Sequence, residues 1–94
     1  MLTSIKVELA LVQAKLPLCA LADVILKWDG EELKIRRCAV FQKPGERAWA
    51  SLPRLPIQKN AKKTYVDLLD LPRELKQRVL DAVLDEYRSK LNVR

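Results

Sequence analysis

The amino-acid sequence predicts an α+β fold: an antiparallel β-sheet of four to five strands, connected as hairpins in a meander, followed by one C-terminal α-helix. Two observations favour this class: apolar and polar residues alternate through the N-terminal half, and the C-terminal segment carries apolar residues at helical spacing. The 94 residues predict a single domain, residues 1–94, near the lower size limit for a self-sufficient core. A chain this short folds about as well by pairing with a copy of itself as by standing alone.

The first two strands are predicted from alternation. Ser4–Val12 alternates as a half-buried strand does, and the segment 13–17 interrupts the pattern. Leu18–Trp28 then alternates again, with one side formed by Leu18, Ala20, Ala22, Val24, Leu26 and Trp28. Asp29-Gly30 follows and predicts a two-residue hairpin turn of type I′, in which both central residues have positive φ.

The third strand, about Leu33–Lys43, contains a change in alternation. The apolar residues of the inward side are odd-numbered as far as Ile35 (Leu33 and Ile35) and even-numbered from Cys38 onward (Cys38 and Val40). A strand that keeps its apolar side inward must absorb one extra residue, which predicts a β-bulge at Arg36-Arg37. With that bulge, Cys38 lies opposite Ala22.

The remaining elements are shorter, apart from the helix. Pro44-Gly45 predicts a turn, Arg47–Leu52 a short fourth strand, and Thr64–Leu69 a fifth strand. Between the last two, the stretch LPRLPIQKNAKKTY at 52–65 contains four cations and no acid, and is predicted to be a basic loop.

The C-terminal helix is predicted from Pro72 to about Lys90, with Asp70 accepting hydrogen bonds from its first amides. Its apolar residues cover about 200° of the circumference, wider than one stripe. They are Leu75, Val79, Leu80, Ala82, Val83, Leu84, Tyr87 and Leu91. A second protomer covering the remainder is expected; the alternative is that loops or the N-terminal strand cover it. The polar arc has mixed charge, which disfavours an anion site there; it holds Glu74, Arg78, Asp81, Asp85 and Arg88. A surface salt network of Arg78 and Arg88 with Asp81 and Asp85 is expected on this arc.

The positive charge is concentrated in the middle of the chain. The net charge is +6, and residues 34–63 hold nine basic residues against one acid, Glu46. Lysine and arginine also solubilise ordinary loops, but unopposed cations repel one another and weaken the compact state. An anionic partner that offsets this repulsion is therefore expected.

The composition argues against several other classes. The chain contains no histidine, which removes histidine general bases, Cys/His or Ser/His nucleophile pairs and Cys/His zinc sites. No enzyme activity, cofactor, metal or small-molecule substrate is therefore predicted. Cys19 and Cys38 are expected on opposite faces of the sheet, as small apolar packing residues without a disulfide. The sequence has no apolar run long enough for a membrane span and no secretory signal pattern, so a cytoplasmic location without membrane partners is expected.

The residues predicted to bind nucleic acid are cations of the middle segment and one aromatic neighbour. They are Arg36, Arg37, Lys43, Arg47, Arg54, Lys59, Lys62, Lys63 and Tyr65. Arginine offers a planar fork for phosphate or guanine, and lysine a mobile point charge. Tyr65 can stack on an unpaired base, whereas Trp49, between two alanines, is interpreted as a core or interface residue.

Two motifs give the chain a family likeness. DAVLDEYR at 81–88 closes the terminal helix, and AWASLP at 48–53 leads from a strand into the basic segment. With the hairpin around WDG and the strand ending CAVF, residues 4–88 resemble the family of the stage V sporulation protein G, a septation regulator. The resemblance implies an antiparallel sheet with a C-terminal helix, a homodimer, and a regulator that binds DNA and in some members RNA. The chain departs from that family at the helix start, PRELKQ, which lacks a glycine.

The function expected from these observations is that of a small dimeric regulator that binds DNA or RNA through a basic surface of residues 34–63. The alternative is a non-catalytic protein-interaction module that recruits an acidic partner through the same basic segment.

Overall fold

The structure of the chain, a computed structural model, describes residues 2–12 and 17–92, without the side chains of Lys59 and Asn92. Within these residues the elements are β1 (Leu2–Leu11), β2 (Leu18–Trp28), β3 (Glu31–Phe41), β4 (Trp49–Ser51), β5 (Arg54–Lys59), β6 (Lys62–Asp67) and α1 (Arg73–Asn92). Strands β1 to β4 form one antiparallel sheet in chain order, and β5 and β6 form a separate two-stranded sheet. The predicted α+β class with a C-terminal helix is confirmed. Most of the predicted break at 13–17 lies outside the described residues.

Strand β2 is a central strand of the four-stranded sheet. Its predicted apolar side is confirmed, because Ala20, Ala22, Val24 and Leu26 are buried. The hairpin at Asp29-Gly30 is also confirmed, since Trp28 pairs with Glu31 across it. Its predicted type is wrong: Gly30 has φ +86°, whereas Asp29 is not left-handed. A positive φ at only the second central position is the sign pattern of a type II turn.

The predicted bulge in β3 is confirmed. Val24 pairs with Ile35 and Ala22 with Cys38, so that Arg36-Arg37 lies opposite Asp23 alone. Arg37 adopts a left-handed φ of 65°, and its backbone N–H donates to Asp23 Oδ1 at 3.2 Å. The carboxylate thus replaces the ladder partner that a bulged residue loses. The strand begins earlier than predicted, directly after the turn, and ends at Phe41.

Both cysteines are free thiols, as predicted. Cys38 lies in the core opposite Ala22, and Cys19 is half-buried. Burial, together with the nearby Asp23 carboxylate, raises the pKa of the Cys38 thiol to about 11. The thiol therefore stays protonated at neutral pH and acts as a small apolar residue.

Helix α1 packs across the four-stranded sheet. Val79, Val83 and Tyr87 are fully or almost fully buried against it, and the helix packs on β1 as well as on the other three strands. Strand β1 thus covers part of the wide apolar arc, while Leu91 near the C-terminal end is exposed. The N–H of Lys76 donates to the carbonyl of Pro72 at 2.8 Å, so the helix begins with Arg73.

Two expectations at the helix start and polar arc are corrected. Within the described residues, Asp70 accepts no hydrogen bond, so its predicted capping role is wrong. The expected salt network on the polar arc forms only in part: Arg88 pairs with Asp85 at 3.3 Å, whereas Asp81 accepts a hydrogen bond from Gln77 at 2.8 Å rather than pairing with Arg78. The helix as described is not of the length and apolarity needed to cross a membrane.

The segment predicted as a basic loop is instead a β-hairpin. Strands β5 and β6 pair along their whole length and turn at Asn60-Ala61, where both residues have positive φ, 52° and 62°. This is the sign pattern of a type I′ turn, which usually has glycine at the second position. The predicted fifth strand corresponds to β6, which pairs with β5 in the separate two-stranded sheet. Strand β4 is also shorter than predicted and keeps only Trp49–Ser51 of Arg47–Leu52.

Candidate nucleic-acid interface

The predicted site residues fall into three groups along the fold, and each of them with a described side chain is exposed. We call them the bulge pair (Arg36 and Arg37), the turn pair (Lys43 and Arg47) and the hairpin group (Arg54, Lys59, Lys62, Lys63 and Tyr65). At the rise of an extended strand, the bulge pair and the turn pair are separated by roughly 20 Å along β3. The structure therefore separates the bulge pair from the turn pair along this direction of the sheet.

The closed end of the β5–β6 hairpin carries the densest positive charge. Lys59 pairs in register with Lys62, and Gln58 with Lys63, so three lysine positions adjoin the turn. Like charges directly opposite each other on two strands are destabilising. From residue 54 to residue 66 the chain contains no acid that could offset them. A bound anion would remove this repulsion.

The base of the hairpin is electrostatically different from its tip. Arg54 Nε donates to Asp67 Oδ1 at 2.9 Å, and both side chains are about half exposed. Arg54 lies five register positions from the turn, roughly 17 Å away at the rise of an extended strand. Its guanidinium already has a carboxylate partner, which leaves it less free charge to offer a polyanion.

The two faces of the hairpin have different chemistry. Tyr65 pairs with Pro56 and shares a face with Lys63, and its side chain is 56% exposed. The other face is apolar near the base, where Leu55 and Val66 are cross-strand partners and both are exposed. Isolated two-stranded hairpins are marginally stable in water, so a hairpin with an uncovered apolar face favours a binding partner.

The bulge pair lies beside acidic side chains that form ion pairs with Lys34. Lys34 Nζ lies 3.5 Å from Glu8 Oε1 and 3.8 Å from Asp23 Oδ2. In the part of the chain that the structure describes, the guanidinium groups of Arg36 and Arg37 form no ion pair. Their charge is therefore available at the surface, although it is weakened by the carboxylates nearby.

The turn pair flanks a rigid β-turn. The N–H of Glu46 donates to the carbonyl of Lys43 at 3.0 Å, with Pro44 and Gly45 as the central residues and Gly45 at φ +78°. This arrangement fits a type II turn, which favours proline and then glycine at these positions. In the described residues, neither Lys43 nor Arg47 has an ion-pair partner.

The two tryptophans differ in environment. Trp28 is half-buried and packs against the core. Trp49 is interpreted from the sequence as a core or interface residue, and the core alternative is wrong: β4 is the edge strand of the sheet, and Trp49 remains 43% exposed. The signal that sequence reasoning missed is Phe41, whose ring stacks on Trp49.

Enclosed binding space is small. One surface cavity has a volume of about 120 Å³ and lies at the hairpin base, between β4 and the first turns of α1, beside Arg54 and Asp67. Another, about 280 Å³, is open and lies near Gln42 and Tyr87. Among the described residues, no group of three or more Cys, Asp or Glu side chains is arranged to hold a metal ion.

Comparison of the chain with protein-family models, curated proteins and solved structures finds no match. The resemblance to the stage V sporulation protein G family therefore rests on the quoted motifs alone. AWASLP comprises the residue before β4, β4 itself and the two residues that lead into β5, and DAVLDEYR lies within α1.

Proposed function

We propose that this protein is a small non-catalytic regulator that binds nucleic acid, DNA or RNA, in the cytoplasm. The observation that carries the proposal is the tip of the β5–β6 hairpin, where Lys59, Lys62 and Lys63 adjoin one turn without an acid nearby in the chain. Phosphate recognition requires fixed positive charge and N–H donors, and requires no histidine and no perturbed pKa.

The other two groups offer further phosphate contacts. The bulge pair and the turn pair add four exposed cations on β3 and on the connection to β4. Contacts to phosphates by cations spaced along a protein surface determine the affinity and position of a nucleic acid without specifying its sequence. The motif likeness to a family of nucleic-acid-binding regulators supports the same function.

A salt series tests this proposal. Four to six phosphate contacts predict a slope of about −4 to −5 for log affinity against log salt concentration on duplex DNA. Affinity should thus fall on the order of 10² to 10³-fold between about 50 and 200 mM salt. Fluorescence anisotropy with labelled duplex DNA and RNA measures both values. No binding at the lowest salt concentration, or an affinity independent of salt, would remove the proposal.

A homodimer is part of the proposed function. The exposed apolar residues Leu55, Val66 and Leu68 lie at the base of the hairpin, on or just beyond β5 and β6. A second copy seated there would bury these side chains while the two lysine tips point away from each other, which limits repulsion between the copies.

Sedimentation equilibrium at micromolar concentration is expected to give twice the mass of one chain. Leu68, 59% exposed, is the most accessible of the three apolar side chains. Leu68→Asp should shift the protein toward one chain's mass, because a carboxylate at the interface is desolvated without a partner. The matched control is Leu33→Asp, at another exposed leucine, which should leave the mass unchanged. A wild-type mass of one chain contradicts the dimer.

A protein-interaction module is the second candidate function. The apolar face of the hairpin favours it, since exposed apolar residues next to a basic tip suit an acidic polypeptide partner. Charge removal at Lys59, Lys62 and Lys63 separates the two functions. It would abolish capture of an acidic partner without changing nucleic-acid affinity if the hairpin served protein recruitment.

A further inference from the structure

An aromatic pair forms a flat platform at the edge of the sheet. Phe41 and Trp49 are the last register pair of β3 and β4. Their ring centroids are 5.5 Å apart and the ring planes differ by 23°, which is a stacked arrangement. The pair leaves Trp49 43% exposed. The indole is therefore held in place by Phe41 on one side and is still open to a ligand.

Two cations lie close to this platform in the sequence. Lys43 follows Phe41 by two residues, and Arg47 precedes Trp49 by two residues. Neither side chain forms an ion pair among the described residues, and the acid between them, Glu46, is also unpaired there. The platform therefore combines an exposed aromatic face with two positive charges that have no protein partner.

Side-chain hydrogen bonds of Gln42 hold the loop that carries these cations. The Gln42 side chain donates from Nε2 to the carbonyl of Glu46 at 3.0 Å. Its Oε1 accepts a hydrogen bond from the hydroxyl of Tyr87 at 3.1 Å, which ties the loop to α1. Preorganisation of this kind lowers the entropic cost of binding.

We propose that Trp49 stacks on an unpaired nucleobase while Lys43 and Arg47 bind the phosphates beside it, so that the protein prefers single-stranded nucleic acid. This inference rests on the proposed function and assigns its substrate class. Aromatic side chains on a basic surface are the usual means of binding single strands, because every base offers a π-face. In a duplex, those faces are stacked on neighbouring bases and cannot reach the indole.

Charge favours a nucleic acid over a second copy of the chain at this platform. Two copies stacked through Trp49 would bring two turn pairs together, and like charges across an interface disfavour association. A strand of nucleic acid instead brings negative charge to Lys43 and Arg47 and an aromatic ring to the indole. This occupant complements both features of the platform.

The test compares three ligands: a single strand of about 12 nucleotides as DNA or RNA, the duplex of the same sequence, and inorganic polyphosphate. This length lies within the roughly 4 to 16 nucleotides that one single-strand-binding domain covers in other proteins. Trp49→Ala should lower single-strand affinity about 5- to 100-fold, the range typical of losing one stacked base. Affinity for duplex and polyphosphate should change less than about twofold, because the phosphate contacts remain. Trp49→Phe, which keeps an aromatic ring, should restore most of the single-strand affinity.

A spectroscopic measurement supports the binding data. The chain has two tryptophans, so in a Trp28→Phe background the remaining fluorescence reports on Trp49. The single strand should quench it and polyphosphate should not. Circular dichroism verifies that each variant is folded.

Three results would overturn the inference. The first is that Trp49→Ala loses affinity for single strand and duplex equally, and the second is that it loses affinity for neither. The third is that Trp49→Ala changes the mass of the protein in solution without a loss of affinity specific to the single strand, which would assign the platform to a second copy. Failure of the proposed function is distinguishable from these, because the wild-type protein would then bind none of the nucleic acids at low salt.

Discussion

Replacing Lys59, Lys62 and Lys63 together by glutamine is expected to weaken nucleic-acid binding about 100-fold at roughly 0.15 M salt. The slope of about −0.9 per phosphate contact implies that each contact contributes roughly fivefold at this concentration. The slope itself should become shallower by about 3, because three contacts are lost. Anisotropy titrations of wild type and variant, each as a salt series, measure both changes.

A second triple variant controls for net charge. Lys27, Lys34 and Lys90 lie outside the three predicted groups, and glutamine at all three removes the same charge from a chain of net charge +6. Lys34 is already paired with two carboxylates, so little phosphate affinity is expected to be lost. Equal weakening by the two triple variants would mean that only total charge matters, and would contradict a site at the hairpin tip.

The parity change in β3 shows how far local pattern determines structure. The change between Ile35 and Cys38 predicts both the bulge and the position of Cys38 opposite Ala22, and both are confirmed. When one face of a sheet is buried, a shift of the strand pairing by one residue would move the apolar side chains to the solvent face, so the register is strongly determined. The left-handed φ of Arg37 was not predictable in this way, because it depends on the Asp23 carboxylate that binds its N–H.

The β5–β6 hairpin shows where the pattern fails. Pro56 and the lysines weaken the strand signal, and Ala61 stands where a type I′ turn usually has glycine. The charge of this segment was readable from sequence, whereas its geometry was not. The pairing of Lys59 with Lys62 depends on a turn that is formed by two non-glycine residues in a conformation that L-residues rarely adopt.

Trp49 illustrates a different limit. Flanking alanines favour a packed environment, yet burial also depends on what lies across the sheet. Strand β4 is three residues long and forms the sheet edge, so the indole has Phe41 on one side and solvent on the other. The residues around Trp49 do not indicate that β4 is short and lies at the edge of the sheet. The candidate platform is therefore apparent only from the fold.

Leu26→Ala is expected to have the largest effect on stability. Leu26 is completely buried on β2, on the face that α1 covers with Val79 and Val83. Removing a buried leucine side chain loses its transfer free energy and leaves a cavity, which together cost about 2 to 5 kcal/mol. A domain of this size has a free energy of unfolding of about 5 to 15 kcal/mol, so a large share would be lost. Urea denaturation followed by circular dichroism measures the change.

Leu33→Ala is the matched control, because Leu33 is the cross-strand partner of Leu26 in the β2–β3 pair. The substitution and sheet face are the same, but Leu33 is 46% exposed and already contacts water. We expect a loss of less than about 1 kcal/mol. Similar losses of stability at both positions would mean that burial on this face of the sheet does not determine how much each leucine stabilises the fold. A large difference supports a buried scaffold that holds the bulge pair on β3 and the turn pair just beyond its end, as phosphate recognition by separated cations requires.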